Sequence, residues 1–339
     1  MSSGNGTYPP ARPPGRVSRR HILAGAAAGM ILGMAPRTPA AATAPGIKIR
    51  RGGSIHTMLN WPELASGSRD TIAWPPFTAP KYQISPSLLK TFRRAGLDFI
   101  RLTLDPGILL SISKARRHEA IAIIIDRCRL LLANELSVVV DFHPIYQLPA
   151  YTPEMLITNA GLFSDFTEIL AETAKALTQL PAGRLALEVF NEPPCGYDLH
   201  SSHRWNAMLH NMHRAIRAKA PALPLVFSGA AGGSIQGLLN VDARKFNDSN
   251  ILWSFHYYDP HLFTHQGVAT SQDNMLWYRY LTDLPYPAAR GNAAMSMEAF
   301  RQNMKLDNSF DRARHNRFEK EAAKAVVSGI SACETDLGG

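Results

Sequence analysis

The chain has 339 residues, of which 45% are hydrophobic and 19% are charged, and its formal net charge is +9. This composition is that of a globular protein and excludes a disordered or fibrous chain, which would be poorer in apolar residues. The charge is unevenly placed, because residues 1–44 hold five arginines and no acidic residue. Without them 31 basic residues face 27 acidic ones, a net charge of +4. Little then favours a nucleic-acid partner.

Residues 1–44 have the pattern of an export signal. Arg19 and Arg20 directly precede an apolar run of small residues, and an Ala-rich segment at 39–44 follows. This order is typical of a signal peptide, and the paired arginines resemble the twin-arginine (Tat) signal that the Tat export machinery reads. The apolar run is shorter than the ~20 residues needed to cross a bilayer. We therefore predict a signal peptide over 1–44, a mature domain over 45–339, a periplasmic or secreted location and no stable membrane span after cleavage.

The cysteines and clustered histidines do not indicate a metal or redox site. The chain has three cysteines, Cys128, Cys195 and Cys333, and no CxxC pair. An odd and small number of cysteines excludes a disulfide framework. Cys128 lies in an apolar helical pattern, where a buried thiol is expected. Two histidine pairs with a spacing of three residues lie on one predicted helix: His200, His203, His210 and His213. That helix is polar, so we interpret the pairs as a solvated face and expect no metal and no cofactor.

Strands alternate with helices along the rest of the chain. Apolar and β-branched runs predict seven short strands, at 47–55, 99–104, 138–140, 185–190, 225–228, 251–258 and 330–333. Amphipathic patterns predict helices from Ser85-Pro86 to near Gly96, and at 116–134, 162–180, 202–220 and 310–327. Repeated strand–helix units imply a parallel sheet, either doubly wound or closed into a barrel.

Polar residues at the strand ends favour the barrel. The chain has neither GxGxxG nor GxxxxGK[ST], the motifs that bind dinucleotides or phosphates in doubly wound folds. In a (β/α)8 barrel the carboxyl ends of the strands instead converge on one face and build the active site. We therefore predict a (β/α)8 TIM barrel, apparently truncated after the seventh strand. Residues 259–309 exceed ordinary loop lengths and should be functional or partly flexible.

Two glutamates follow different predicted strands and could form a catalytic pair. Retaining glycosidases hold two carboxyl groups roughly 5 to 5.5 Å apart, one as nucleophile and one as acid and then base. Glu192 and Glu334 follow the fourth and seventh strands and could meet across the barrel mouth. Asn191 could bind a sugar 2-hydroxyl, an interaction that strengthens in the transition state.

Four further residues at strand ends could support that pair. Arg101 could keep the nucleophile ionised by pairing with it, and Tyr258 could donate a hydrogen bond to the same carboxylate. His143 and His256 could bind sugar hydroxyls or orient their neighbours. Trp61 and Trp277 are candidate sugar-stacking side chains, although a place in the hydrophobic core is an equally open interpretation of both.

The segment Val189–Pro193 resembles the Asn-Glu-Pro signature of glycoside hydrolase family 5, the cellulase family of clan A barrels. Other segments resemble that family in the same order: Phe99-Ile100-Arg101-Leu102, Asp141-Phe142-His143, His256-Tyr257-Tyr258 and Cys333-Glu334. The resemblance implies that Glu192 is the acid/base and Glu334 the nucleophile. It also implies substrate-binding roles for Arg101, His143, Asn191, His256 and Tyr258. The family usually has Glu-Phe-Gly where this chain reads Glu334-Thr335-Asp336, which leaves Asp336 as a competing carboxylate.

The resemblance implies a retaining hydrolase that cleaves β-1,4-linked glucan, an endoglucanase acting on a polysaccharide or oligosaccharide without a cofactor. A β-mannanase or an exopolysaccharide glycanase of the same family is the nearest alternative, since a small change of pocket alters sugar preference. A catalytically impaired glycan-binding protein is an alternative of a different class.

Overall fold

The computed structural model describes residues 46–269, 273–284, 292–307 and 309–336. The predicted signal peptide, 1–44, lies outside these residues. Among the described helices, none combines the length and apolar character required to cross a membrane.

The described residues form a six-stranded parallel sheet whose strands lie side by side in chain order. The strands are β1 Gly52–Ile55, β2 Phe99–Leu104, β3 Ser137–Phe142, β4 Leu185–Glu188, β5 Leu225–Ser228 and β6 Ile251–Ser254. Parallel neighbours joined by helical crossovers are the repeating unit of a (β/α)8 barrel. The predicted TIM-barrel-type fold is confirmed.

Helices connect the strands and extend beyond β6. They are α1 Pro86–Arg94, α2 Pro106–Leu110, α3 Lys114–Ala133, α4 Pro153–Thr158, α5 Ala160–Leu177, α6 Leu199–Lys219, α7 Ala230–Gly233, α8 Ile235–Leu239, α9 His261–Thr264, α10 Ala293–Lys305 and α11 Arg312–Asp336. Four 3₁₀ helices cover Pro80–Tyr82, Pro149–Tyr151, Ala243–Lys245 and Asp273–Tyr280. Helix α1 begins as predicted, because the Ser85 side chain accepts a hydrogen bond from the Leu88 amide and Pro86 takes the first helical position.

The sheet has a packed face on each side. Leu102, Val140 and Leu187 point outward, away from the barrel axis, and are fully buried in the main core against the helices. Val139 and Ala186 point the other way and form a small apolar cluster inside the barrel. Strands that are buried on both faces have nearly continuous apolar sequences. For this reason the strands could be predicted from the sequence.

Residues 259–309 contribute to a second hydrophobic core. In the described part of this segment Leu276, Trp277 and Tyr280 pack with Phe300 of α10 and Phe318 of α11. Trp277 is only 5% exposed. The prediction that it stacks on sugar is therefore wrong, because its ring is used in this core.

The predicted seventh strand, 330–333, is also wrong. These residues continue helix α11 to Asp336. The apolar run is only four residues long, and such a run cannot be assigned to strand or helix by periodicity alone. No proline separates it from the Ala-rich turns before it, so the helix continues.

Candidate active site

The strand ends bring six of the predicted site residues together. In the sheet register Arg101 of β2 lies opposite Val139, and Asp141 of β3 lies opposite Glu188 of β4. Arg101, Asp141 and Glu188 thus lie on the barrel-facing side of adjacent strands. The remaining polar residues of the site follow the strand ends: His143, Asn191, Glu192, His256 and Tyr258.

Glu192 is held by two hydrogen-bond donors. The His256 Nδ1 lies 2.7 Å from Glu192 Oε1, and the Tyr258 hydroxyl donates to the same oxygen at 3.2 Å. Burial acts to raise the pKa of Glu192, but the hydrogen bond and charge of His256, together with the Tyr258 hydroxyl, hold the pKa below its usual range. The Glu192 backbone is left-handed, with φ of 45°.

Arg101 connects the buried acids to Asn191. Its Nε and Nη2 donate to the two oxygens of Glu188, each at 2.7 Å. Nη2 also lies 2.8 Å from Asn191 Oδ1 and 2.9 Å from Asp141 Oδ2. Arg101 was predicted to pair with the nucleophile, whereas among the described residues its carboxylate partners are Glu188 and Asp141.

Sequence reasoning missed Glu188. The only signal was a charged residue in the apolar run Leu185–Phe190, at an even spacing from the predicted Glu192. Glu188 is 2% exposed, and a buried carboxylate in a strand requires a partner. That partner comes from β2, which local sequence does not reveal.

His143 is oriented by a carboxylate. Its Nδ1 donates to Asp141 Oδ2 at 2.8 Å, and the Asn191 amide nitrogen lies 3.4 Å from its Nε2. Burial and the nearby Arg101 charge lower the pKa of His143 to about 4. A neutral ring whose Nδ1 carries the proton leaves Nε2 as an acceptor.

The site opens into a cavity of about 580 Å³. Asn191, Glu192 and His143 line it together with the half-exposed Trp61 and the exposed Tyr146. A few polar groups on one side and aromatic rings on the other suit a ligand with hydroxyls at its edge and an apolar face.

The structure does not place Glu334 with this group. Its backbone belongs to α11, and its side chain lies outside the described part of the chain. The same holds for Asp336, the last residue of α11. The other six predicted residues, Glu192 among them, lie together at the strand ends.

The other polar clusters have structural partners. His213 Nε2 lies 2.7 Å from Asp248, and His210 stacks on Phe246 with ring centroids 4.2 Å apart. In the ranges that the structure covers, no group of three or more His, Cys, Asp or Glu side chains is placed to hold a metal ion. Cys128 is buried, as predicted.

A parallel α/β barrel with a carboxylic acid, an amide and two histidines at the carboxyl ends of its strands has the arrangement of an enzyme active site. The family model Cellulase (glycosyl hydrolase family 5) matches residues 65–335. The chain belongs to this family, whose members act on O-glycosyl bonds.

Curated relatives carry endoglucanase names. Endoglucanase C of Acetivibrio thermocellus is 27% identical over 197 residues, which cover 56% of this chain and 55% of the relative. Endoglucanase 3 of Fibrobacter succinogenes is 28% identical over 158 residues, which cover 45% of this chain and 22% of the relative. The chain thus spans about half the length, or less, of these relatives.

Solved structures share the fold. The cellulose synthase subunit Z of Clostridioides difficile matches with a TM-score of 0.54 and 18% identity, over 82% of this chain and 89% of that one. Thermotoga maritima Cel5A in complex with cellobiose matches with a TM-score of 0.52 and 18% identity, over 76% of each chain. Cel5A in complex with mannotriose gives a TM-score of 0.50 at 18% identity, over 67% of this chain and 70% of that one.

Proposed function

We propose that the chain is a retaining β-glycanase that cleaves β-1,4-linked glucan. The observation that carries the proposal is Glu192 at the carboxyl end of β4, held by His256 and Tyr258 and facing a cavity lined by aromatic rings. The endoglucanase names of the curated relatives support glucan as the substrate. Mannan is the nearest alternative substrate, because the related structure of Cel5A was solved with mannotriose.

Glu192 acts as the general acid and then as the general base. The carboxylate of Glu334 attacks the anomeric carbon while the glycosidic C–O bond breaks, and the departing oxygen takes the Glu192 proton. Glu192, now ionised, removes a proton from water, which attacks the same carbon and releases Glu334 from its ester. Bound sugar would add burial and the proposed nucleophile would add a second negative charge, and both effects would raise the pKa of Glu192 toward the protonated form that the first step requires.

The role of Glu334 as the nucleophile is proposed from the resemblance of Cys333-Glu334 to the family's segment. A retaining enzyme holds its two carboxyl groups roughly 5 to 5.5 Å apart. Asp336 is the competing nucleophile.

Other side chains of the site bind the substrate. Trp61 offers its exposed ring to a sugar face, and Asn191 offers its amide to the 2-hydroxyl of the reacting sugar. We further propose Tat export to the periplasm or the exterior, which would bring the enzyme to polymers too large to enter a cell.

The test is reducing-sugar release from carboxymethylcellulose and mannan, with Glu192→Gln, Glu334→Gln and Asp336→Asn measured alongside. We expect Glu192→Gln to lose about 10²- to 10⁴-fold in rate, the usual contribution of a general acid. With dinitrophenyl β-cellobioside, whose leaving group needs no acid, Glu192→Gln should still release a burst of dinitrophenolate. Glu334→Gln should release none.

The alternatives predict other results. Loss of activity in Asp336→Asn with Glu334→Gln unchanged would transfer the nucleophile role to Asp336. Glycan binding without hydrolysis by the unaltered chain would contradict the enzyme proposal and favour a glycan-binding protein. Release of reducing sugar from mannan but not from carboxymethylcellulose would show that the substrate is mannan and not glucan.

A further inference from the structure

Glu188 is a buried carboxylate beside the site, and the proposed reaction gives it no role. It ends β4, four residues before Glu192, and is 2% exposed. Its Oε2 accepts from Arg101 Nε and its Oε1 from Arg101 Nη2, each at 2.7 Å. A two-point contact of this kind fixes the plane of the guanidinium as well as its distance.

The orientation of Arg101 determines that of the neighbouring amide. Arg101 Nη2 donates to Asn191 Oδ1 at 2.8 Å. Because the oxygen of the Asn191 amide is occupied, its amino group takes the opposite direction, 3.4 Å from His143 Nε2. Asn191, His143 and Glu192 line the same cavity, so the amino group is available to a bound sugar.

We infer that Glu188 is a positioning residue, which holds Arg101 so that Asn191 presents its amino group to the 2-hydroxyl of the reacting sugar. The inference rests on the proposed function. Asp141 cannot take the place of Glu188, because only its Oδ2 contacts Arg101, at 2.9 Å, and that oxygen also accepts from His143.

A glutamine at position 188 keeps the shape of the side chain but not its chemistry. One of its two terminal atoms is an amino group, which cannot accept from an N–H of Arg101. At least one of the two hydrogen bonds is therefore lost, and the guanidinium is free to rotate away from Asn191.

The experiment compares Glu188→Gln with the unaltered chain on dinitrophenyl β-cellobioside and on its analogue lacking the 2-hydroxyl of the reacting sugar. Asp248→Asn is the matched control, since Asp248 accepts from Arg217 Nε and contacts His213 Nε2, each at 2.7 Å, outside the site. For Glu188→Gln we expect kcat on the parent substrate to fall by about 10- to 100-fold, the effect of a small misplacement of a catalytic contact.

The 2-deoxy substrate separates positioning from stability. It makes no 2-hydroxyl contact, so Glu188→Gln should reduce kcat on it far less, and the rate ratio of the two substrates should fall. Unfolding of part of the sample would reduce both rates equally and leave the ratio unchanged, as we expect for Asp248→Asn. Equal losses on both substrates by Glu188→Gln would overturn the inference.

Asn191→Ala provides a second check. If Glu188 acts through Asn191, Glu188→Gln should have little further effect on the rate ratio in the Asn191→Ala background. A full, independent effect there would also overturn the inference. If the unaltered chain releases no dinitrophenolate from either substrate, the proposed function itself fails and the inference falls with it.

Discussion

At the scale of single residues, the site depends on how neighbours set the proton affinity of Glu192. His256 lies 2.7 Å from the Glu192 carboxylate and helps to keep its pKa below the usual range. An acid catalyst must be protonated when it acts, so its pKa sets the alkaline limb of the pH–rate profile.

Replacing His256 with asparagine should therefore move that limb. The hydrogen bond and the charge of His256 are the largest influences that lower this pKa, so we expect the pKa of Glu192 to rise when they are lost. In a pH profile of kcat/KM, the alkaline limb of His256→Asn should lie at higher pH than that of the unaltered chain. Tyr257→Phe, at an exposed neighbour with no contact to Glu192 in the described structure, is the control. A shift of the limb to lower pH would contradict the assignment of Glu192 as the acid.

The sequence predicted Glu192 and Asn191 of the site but not Glu188, the carboxylate that pairs with Arg101. Glu192 and Asn191 were identified because an Asn-Glu-Pro segment follows a clear strand. Glu188 was missed because a strand pattern reports only which side chains are buried, whereas the partner that makes a buried carboxylate tolerable lies 87 positions away at Arg101. Pairings of that range are set by the register of the sheet.

At the scale of elements, the two larger hydrophobic cores of the described residues lie in different parts of the chain, one around the sheet and one formed by residues after β6. The second core joins the 3₁₀ helix Asp273–Tyr280 with α10 and α11. Its members are separate from those of the main core.

Truncating a side chain in each core should therefore have different consequences. Phe300 of α10 and Leu187 of β4 are both fully buried, and we expect Phe300→Ala to cost about 3–5 kcal/mol and Leu187→Ala about 2–5 kcal/mol. Hydrogen exchange should show Phe300→Ala losing protection in α10 and α11 while β2 to β4 keep theirs. Leu187→Ala should weaken protection throughout the sheet. Uniform loss of protection in Phe300→Ala would show that the two cores unfold as one.

The long helices before residue 259 were predicted with small errors at their ends, whereas the short helices α2, α4, α7 and α8 were not predicted and β1 begins five residues later than predicted. Strands β2 and β5 were predicted with their observed bounds, because both are buried apolar runs between helices with clear amphipathic patterns. After residue 259 the same reasoning predicted α11, as a helix over 310–327, but neither the 3₁₀ helix Asp273–Tyr280 nor α10. The helices of this region bury Trp277 and Phe300 against each other, and only the tertiary arrangement shows which faces meet.

At the scale of the whole molecule, buried acids should make stability depend on pH. Burial raises the pKa of Asp105 to about 7 and that of Asp141 to about 7. Between pH 4 and 7 the folded protein therefore holds protons on these groups that the unfolded chain releases, so stability falls as the pH rises. His143 acts in the opposite sense, because its lowered pKa makes the unfolded chain bind the additional proton between pH 6.5 and about 4.

A comparison of the unaltered chain with Asp105→Asn isolates the contribution of Asp105, because the lowered pKa values of the histidines act equally in both proteins. Relative to the unaltered chain, Asp105→Asn should gain about 2–4 kcal/mol of stability between pH 4.5 and pH 8, the value of a shift of this size. The asparagine keeps an oxygen for the Gly107 amide, which Asp105 Oδ1 contacts at 3.0 Å. Denaturant unfolding at the two pH values measures the effect. Equal pH dependence in the two proteins would contradict it, and Asp70→Asn, at an exposed acid, is the control.

The left-handed backbone of Glu192 has an evolutionary consequence. A residue with a side chain is strained at φ of 45°, whereas glycine adopts this conformation freely. A mutation of Glu192 to glycine would relieve that strain, but it would also remove the proposed acid and the carboxylate that His256 and Tyr258 contact. The backbone conformation and the side chain thus make opposing demands on this position. A laboratory search for hardier variants must therefore screen for turnover in every round.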